Sequence, residues 1–199
     1  MTPEQLLMQK VKSVCGDYID EAVKSSEVPD TFLAALTANE SGGDPAAMRF
    51  EPQIFQKLAF LAIGRIANFG SIGKQDLIGY CAPPPIEGHP PLTFDQSALC
   101  LVNLASSWGP TQIMGWHALA SDYPLSDLPS LQRHYPRAVQ LLDAFRKQWG
   151  EHIPSWDADP VAAASALFRC WNTGQPNGVT FDPNYTSRGL DRMTIYATL

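Results

Sequence analysis

Glu40 is the residue whose surroundings could most change its chemistry. It lies on the same three- and four-residue stripe as Leu33 and Leu36, and Ser41, Gly42 and Gly43 follow it as a helix-ending signal. Burial penalises a carboxylate, and the unpaired carbonyls of a helix C-terminus carry partial negative charge. Both effects are expected to keep a proton on Glu40. A carboxyl that stays protonated near working pH is what a general acid requires. A helix-end glutamate can equally face water, and position alone does not separate the two readings. Further carboxylates lie close in sequence: Glu51 stands eleven positions on, and Asp44 four. A second carboxylate beside an acid is a pairing that general acid–base chemistry uses. Glu51, directly ahead of Pro52, could instead interact with a helix N-terminus.

Other chemistries find less support. His89, His117, His134 and His152 form no His-x-x-x-His pair, and Cys15, Cys81, Cys100 and Cys170 form no CxxC pair. No metal site and no organic cofactor is expected. The four cysteines are expected to be buried thiols rather than disulfides. No local signature supports a cysteine nucleophile, and no glycine-rich phosphate loop follows a strand.

The elements that must position these groups are read from periodicity. Residues 4–23 carry Leu7, Val11, Val14, Tyr18 and Ala22 as one apolar stripe. A second helix is expected over 31–40, with Asp30 as its N-cap. Pro52 opens a third, whose inner face would hold Phe55, Leu58, Ala62, Ile66 and Phe69. Residues 70–92, with five prolines and several glycines, are expected to form a long loop. Thr93 and Gln96 have capping-box spacing for a helix through Leu99, Val102 and Ala105, and another helix is expected to start near Gly109-Pro110. Pro136, Asp159-Pro160 and Asp182-Pro183 each read as a helix start. Alternating β-branched runs are missing, so a mainly α fold of seven or so helices follows, as a single domain over 1–199.

Composition narrows the partners. Among 199 residues, 45% are apolar and 17% charged, enough for a core and too sparsely charged for a disordered chain. A net charge of -6 without a basic run disfavours nucleic acid. No apolar stretch is long enough for a transmembrane segment, and the first 25 residues, rich in charge, show no signal peptide. A monomer is expected.

Three blocks carry a resemblance. Asn39-Glu40-Ser41-Gly42-Gly43-Asp44-Pro45-Ala46 resembles the catalytic segment of the soluble lytic transglycosylase and goose-type lysozyme superfamily. Ser107-Trp108-Gly109-Pro110-Thr111-Gln112-Ile113-Met114-Gly115 is similar to its Gly-Leu-Met-Gln-Ile element. Cys170-Trp171-Asn172-Thr173-Gly174 and Pro183-Asn184-Tyr185 are similar to its Tyr-Asn-x-Gly and Pro-x-Tyr elements. The run Arg49-Phe50-Glu51 with Phe55 is most similar to the N-acetylmuramidase domains of phage endolysins. This sequence departs from the pattern at Pro110-Thr111 and Trp171, and more than fifty residues separate the first two blocks.

The resemblance implies a lysozyme-like helical fold with a substrate cleft. It also implies cleavage of the β-1,4 bond between N-acetylmuramic acid and N-acetylglucosamine in peptidoglycan, or in a chitin-like oligosaccharide. Glu40 would be the general acid and Glu51 the second carboxylate. Ser41, Trp108, Gln112, Met114, Trp171, Asn172 and Tyr185 would contact the sugar. Gln112 and Asn172 offer donors and acceptors for hydroxyl and acetamido groups, and the two indoles suit a pyranose face. Trp171 could equally be plain core, Gln112 could bond only backbone, and the Tyr185 hydroxyl could hold Glu40 or face water. Action at the cell wall follows, whether secreted, periplasmic or phage-delivered. Two alternatives are a lytic transglycosylase leaving 1,6-anhydro ends and a glycan-binding protein without turnover.

Overall fold

The computed structural model describes residues 1–81 and 94–199. In chain order the elements are α1 (Pro3–Val23), α2 (Asp30–Ser41), β1 (Met48–Phe50), α3 (Pro52–Ala62), β2 (Asn68–Phe69), β3 (Ile72–Gly73), α4 (Lys74–Cys81), α5 (Phe94–Leu104), β4 (Ser106–Trp108), β5 (Ile113–Met114), α6 (Trp116–Ala120), α7 (Leu131–Trp149), α8 (Pro160–Thr173) and α9 (Tyr185–Tyr196). The chain is mainly helical, with nine α-helices among the described residues. These residues gather into two compact units, each discontinuous in sequence. The first comprises Met1–Ala47, Gly109–Thr111 and Pro129–Leu199; the second comprises Met48–Trp108 and Gln112–Leu128. No helix among the described residues is long and apolar enough to cross a membrane.

In the first unit α2 is the central element. Phe32 to Ala38 are all buried, and Ala34, Ala35 and Ala38 let α1 and α9 pack closely against it. Phe32 meets Phe168 of α8, with ring centroids 4.5 Å apart. The N-cap position of α2 is Pro29 rather than Asp30, which sits in the first turn and accepts the Thr31 N–H. Gly42, at φ 64°, ends the helix in the left-handed region that suits glycine. α1 opens on a Thr2/Gln5 capping box and buries Met8, Val11, Cys15 and Ile19. The expected stripe is therefore displaced around the helix: Val14 and Tyr18 are exposed. α1 carries two adjacent apolar rows, and packing chose between them.

α7 begins five residues before Pro136, which lies inside it. α8 starts as expected, with the Asp159 carboxylate accepting the Ala162 N–H at 2.9 Å. α9 starts at Tyr185, beyond Asp182-Pro183, because the Asp182 carboxylate instead closes a turn on the Asn184 N–H. α9 comes so close to α8 that a Cβ on Gly189 would lie 2.6 Å from the Phe168 ring.

The second unit holds an antiparallel sheet in the order β1-β4-β5 and a small β2-β3 hairpin, strands of two or three residues that periodicity did not reveal. α3 stops at Ala62, before Gly64 at φ 76°, so Ile66 and Phe69 fall outside it. Phe69 lies in β2 and packs on Trp116. The expected long loop contains α4; its residues 82–92, and the expected cap Thr93, lie outside the described residues. Gly109-Pro110 opens no helix. It turns β4 into β5, because Gly109 at φ 71° reverses the chain. Cys81 and Cys100 form a disulfide with their Cα atoms 5.5 Å apart, correcting the expectation of four thiols. Cys15 and Cys170 are buried and free. α4 packs on α5, which brings together two cysteines that sequence spacing leaves unpaired.

Candidate functional site

The first unit surrounds Glu40 with polar partners. Glu40 occupies the last turn of α2 and is half-buried. Just beyond it, the Lys10 ammonium donates to the Gly42 carbonyl at 2.9 Å, placing a cation where α2 ends. The Tyr185 hydroxyl, at the start of α9, donates to Glu40 Oε1. Tyr185 is buried, and its ring packs edge-on against Phe168 at 6.1 Å. Burial first, and then the negative charge of Glu40, push the Tyr185 phenol well above its ordinary pKa. It therefore remains a hydrogen-bond donor throughout the neutral range.

A second tier of polar groups continues from this pair. Asn39 Nδ2 donates to the Tyr185 carbonyl at 3.0 Å. Asn39 Oδ1 accepts from Arg192 Nη1 at 2.8 Å. Arg192, buried in α9, forks onto Glu4 of α1 through Nε at 2.8 Å and Nη2 at 3.2 Å. The guanidinium bond holds the Glu4 carboxyl below its usual range. Two helices, α1 and α9, thus converge by side chain on the end of α2.

The remaining expected residues of this unit are placed differently. Ser41 turns its hydroxyl back to the Thr37 carbonyl at 3.2 Å. Asp44 closes a turn by accepting the Ala46 N–H at 2.9 Å. Trp171 is half-buried and donates through Nε1 to the Thr111 carbonyl at 2.9 Å. Thr111 is itself held by buried His134, whose Nε2 accepts the Thr111 N–H at 3.2 Å and lies 2.8 Å from its hydroxyl. Asn172 is exposed near the end of α8.

In the second unit, sheet register decides which side chains share a face. Ser107 pairs with Arg49 on one side and Met114 on the other; Trp108 pairs with Met48 and Ile113. Arg49, Ser107 and Met114 therefore lie on one face, and Trp108 lies on the opposite face. Gln112 joins the first group, its Oε1 accepting from the Ser107 hydroxyl at 2.7 Å. The Gln112 backbone sits at φ 56°, a left-handed conformation costing a non-glycine residue about 1 kcal/mol. Trp108, half-buried, spends its Nε1 on the Asn103 carbonyl at 2.9 Å. Glu51 occupies the N-cap position of α3 without capping it; its Oε1 accepts from Arg49 Nε at 2.6 Å. Of the two readings of Glu51, the interaction with the helix N-terminus gives way to this ion pair. Phe50 and Phe55 pack edge to face, with ring centroids 5.7 Å apart.

Comparison with protein families, with curated proteins and with solved structures returns no match. The chemistry rests on the geometry of these residues.

Sequence reading missed Lys10, Asn39, Arg192, Glu4 and His134. Asn39 stands beside Glu40 in the first block, which was the one available signal. A buried arginine within an amphipathic helix leaves no local trace, because its partner is a surface glutamate 188 positions away.

Proposed function

We propose that this chain cleaves the glycan strand of peptidoglycan at the β-1,4 bond between N-acetylmuramic acid and N-acetylglucosamine, with Glu40 as general acid. The observation that carries the reading is the Tyr185 hydroxyl on Glu40 Oε1, which joins two blocks of the lysozyme-like pattern across 145 positions. A general acid must hold its carboxyl in one orientation against the leaving oxygen, and a buried phenol that stays protonated supplies that restraint. Glu40 protonates the glycosidic oxygen, the alcohol departs, and an oxocarbenium-like centre remains. In hydrolysis a water closes that centre, with Glu51 as the carboxylate that receives its proton. By the same resemblance Ser41, Gln112, Met114, Trp171 and Asn172 are the proposed sugar contacts; Trp108, on the sheet face opposite Met114 and with its Nε1 spent on the Asn103 carbonyl, is left out of them. A lysozyme-like fold with a sugar-binding cleft and action at the cell wall belong to the same reading.

One observation favours the transglycosylase variant. Glu51 is engaged by Arg49 and Asp44 by a turn, whereas trapping by the muramyl lactate hydroxyl needs no second carboxylate to prepare a water. Mass analysis of digested wall fragments separates the two routes, since the anhydro product lacks one water. Glu40→Gln tests the acid itself: it keeps size and polarity and removes the proton donor. Lysis is expected to fall by at least about a hundredfold while glycan binding persists. Unchanged lysis in that variant overturns the assignment.

A further inference from the structure

We propose that Arg192 is a positioning residue for Glu40, acting through the Asn39 amide and the Tyr185 hydroxyl. The inference rests on the reading of Glu40 as the acid and extends it to a residue outside every block of that pattern.

A guanidinium can only donate, so the atom of Asn39 facing Arg192 Nη1 must be its oxygen. That fixes the amide and turns Nδ2 toward the Tyr185 carbonyl, 3.0 Å away. Asn39 therefore holds the main chain of the residue whose hydroxyl holds Glu40, and Asn39 is itself the residue before Glu40. The carboxyl is fixed from two directions, and both are set by the orientation of one amide. Arg192 keeps that orientation because its other two nitrogens donate to Glu4 at 2.8 and 3.2 Å and its side chain is only 8% exposed. Losing the Asn39 contact frees the amide to rotate, and the Tyr185 main chain and hydroxyl lose their register with Glu40.

Arg192→Lys is the informative change. Lysine keeps the charge and can reach Glu4, but its single nitrogen does not reproduce the planar fork whose three nitrogens reach Glu4 and Asn39 separately. Because the charge is conserved, an effect on Glu40 must travel through geometry. The readout is the side-chain carboxyl signal of Glu40 in protein labelled with carbon-13 at the glutamate carboxyl, followed against pH and assigned by its loss in Glu40→Gln. The Glu40 midpoint is expected to move by roughly half a pH unit or more in Arg192→Lys, and by less than about 0.2 when the same change is made in Tyr185→Phe. Asn39→Ala leaves the Arg192–Glu4 pair in place and is expected to reproduce the displacement, which covers the case of an unfolded lysine variant. On peptidoglycan, kcat is expected to fall about tenfold with KM within about twofold. A Glu40 midpoint identical to wild type, or displaced equally in both backgrounds, overturns the proposal. A wild-type protein without lysis removes the proposed function and leaves the carboxyl titration decisive for Arg192.

Discussion

Replacing Tyr185 by Phe deletes a single oxygen from the site and leaves its ring packing against Phe168 in place. The hydrogen bond lost is to a carboxyl oxygen, a bond that contributes about 1 kcal/mol while Glu40 holds its proton and about 1.5–3 kcal/mol once it is ionised. Glu40 is only half-buried, so water can partly replace the phenol and the lower end applies. A loss of about 1–2 kcal/mol at pH 7 follows. The pH dependence is more specific. The Tyr185 pKa is raised above its unfolded value of 10.0 because burial, and then Glu40, oppose the phenolate. Above that pH the unfolded chain binds fewer protons than the native one, so this group's contribution is full below pH 10 and is lost as pH rises further. The slope is about 1.4 kcal/mol per pH unit, so by pH 11 the wild-type protein should have lost most of its advantage over Tyr185→Phe. The other tyrosines titrate in both proteins and cancel in the difference. Urea unfolding of the pair at pH 7, 9, 10 and 11 measures this directly. A stability difference that stays constant from pH 7 to 11, or that is absent at pH 7, refutes the picture of a buried phenol donating to Glu40.

Three other outcomes follow from the packing and the electrostatics. Gly189→Ala places a Cβ 2.6 Å from the Phe168 ring and should lower stability by about 1–3 kcal/mol in thermal melts, with Gly79→Ala, which meets nothing, as the control. Reduction of Cys81–Cys100, which spans 19 positions, should cost about 3 kcal/mol in denaturant unfolding of the second unit; no change on adding reductant contradicts the bridge. The His117 ring stacks on Trp116 and burial lowers its pKa to about 4, so its NMR titration should fall far below that of a free imidazole. The stability linked to this ring is present above about pH 6.5 and is lost as pH falls toward 4, by up to about 3 kcal/mol.

Local chemistry was legible. The Asp159 cap, the start of α3 at Pro52 and the end of α2 at Gly42 each follow from a side chain or a φ preference acting within a few residues. Elements whose form depends on distant partners were not. The turn at Gly109-Pro110 reads as a helix start until β1 and β5 flank β4, and α1 offers two apolar rows until α2 and α9 select one.

The same division runs through the candidate site. The sequence by itself determined that a carboxylic acid stands at a helix terminus opened by glycines and that further carboxylates follow it. These are properties of residue type and short spacing. Only the tertiary structure decided that Tyr185 reaches Glu40, that Arg192 bridges Glu4 and Asn39, that Trp108 turns to the face opposite Ser107 and Met114, and that Cys81 meets Cys100. Hydrogen bonds and sheet register are short-range in space, and the chain brings their partners together over separations of up to 188 residues. Their identity is fixed by how the helices pack, which periodicity along the chain does not encode.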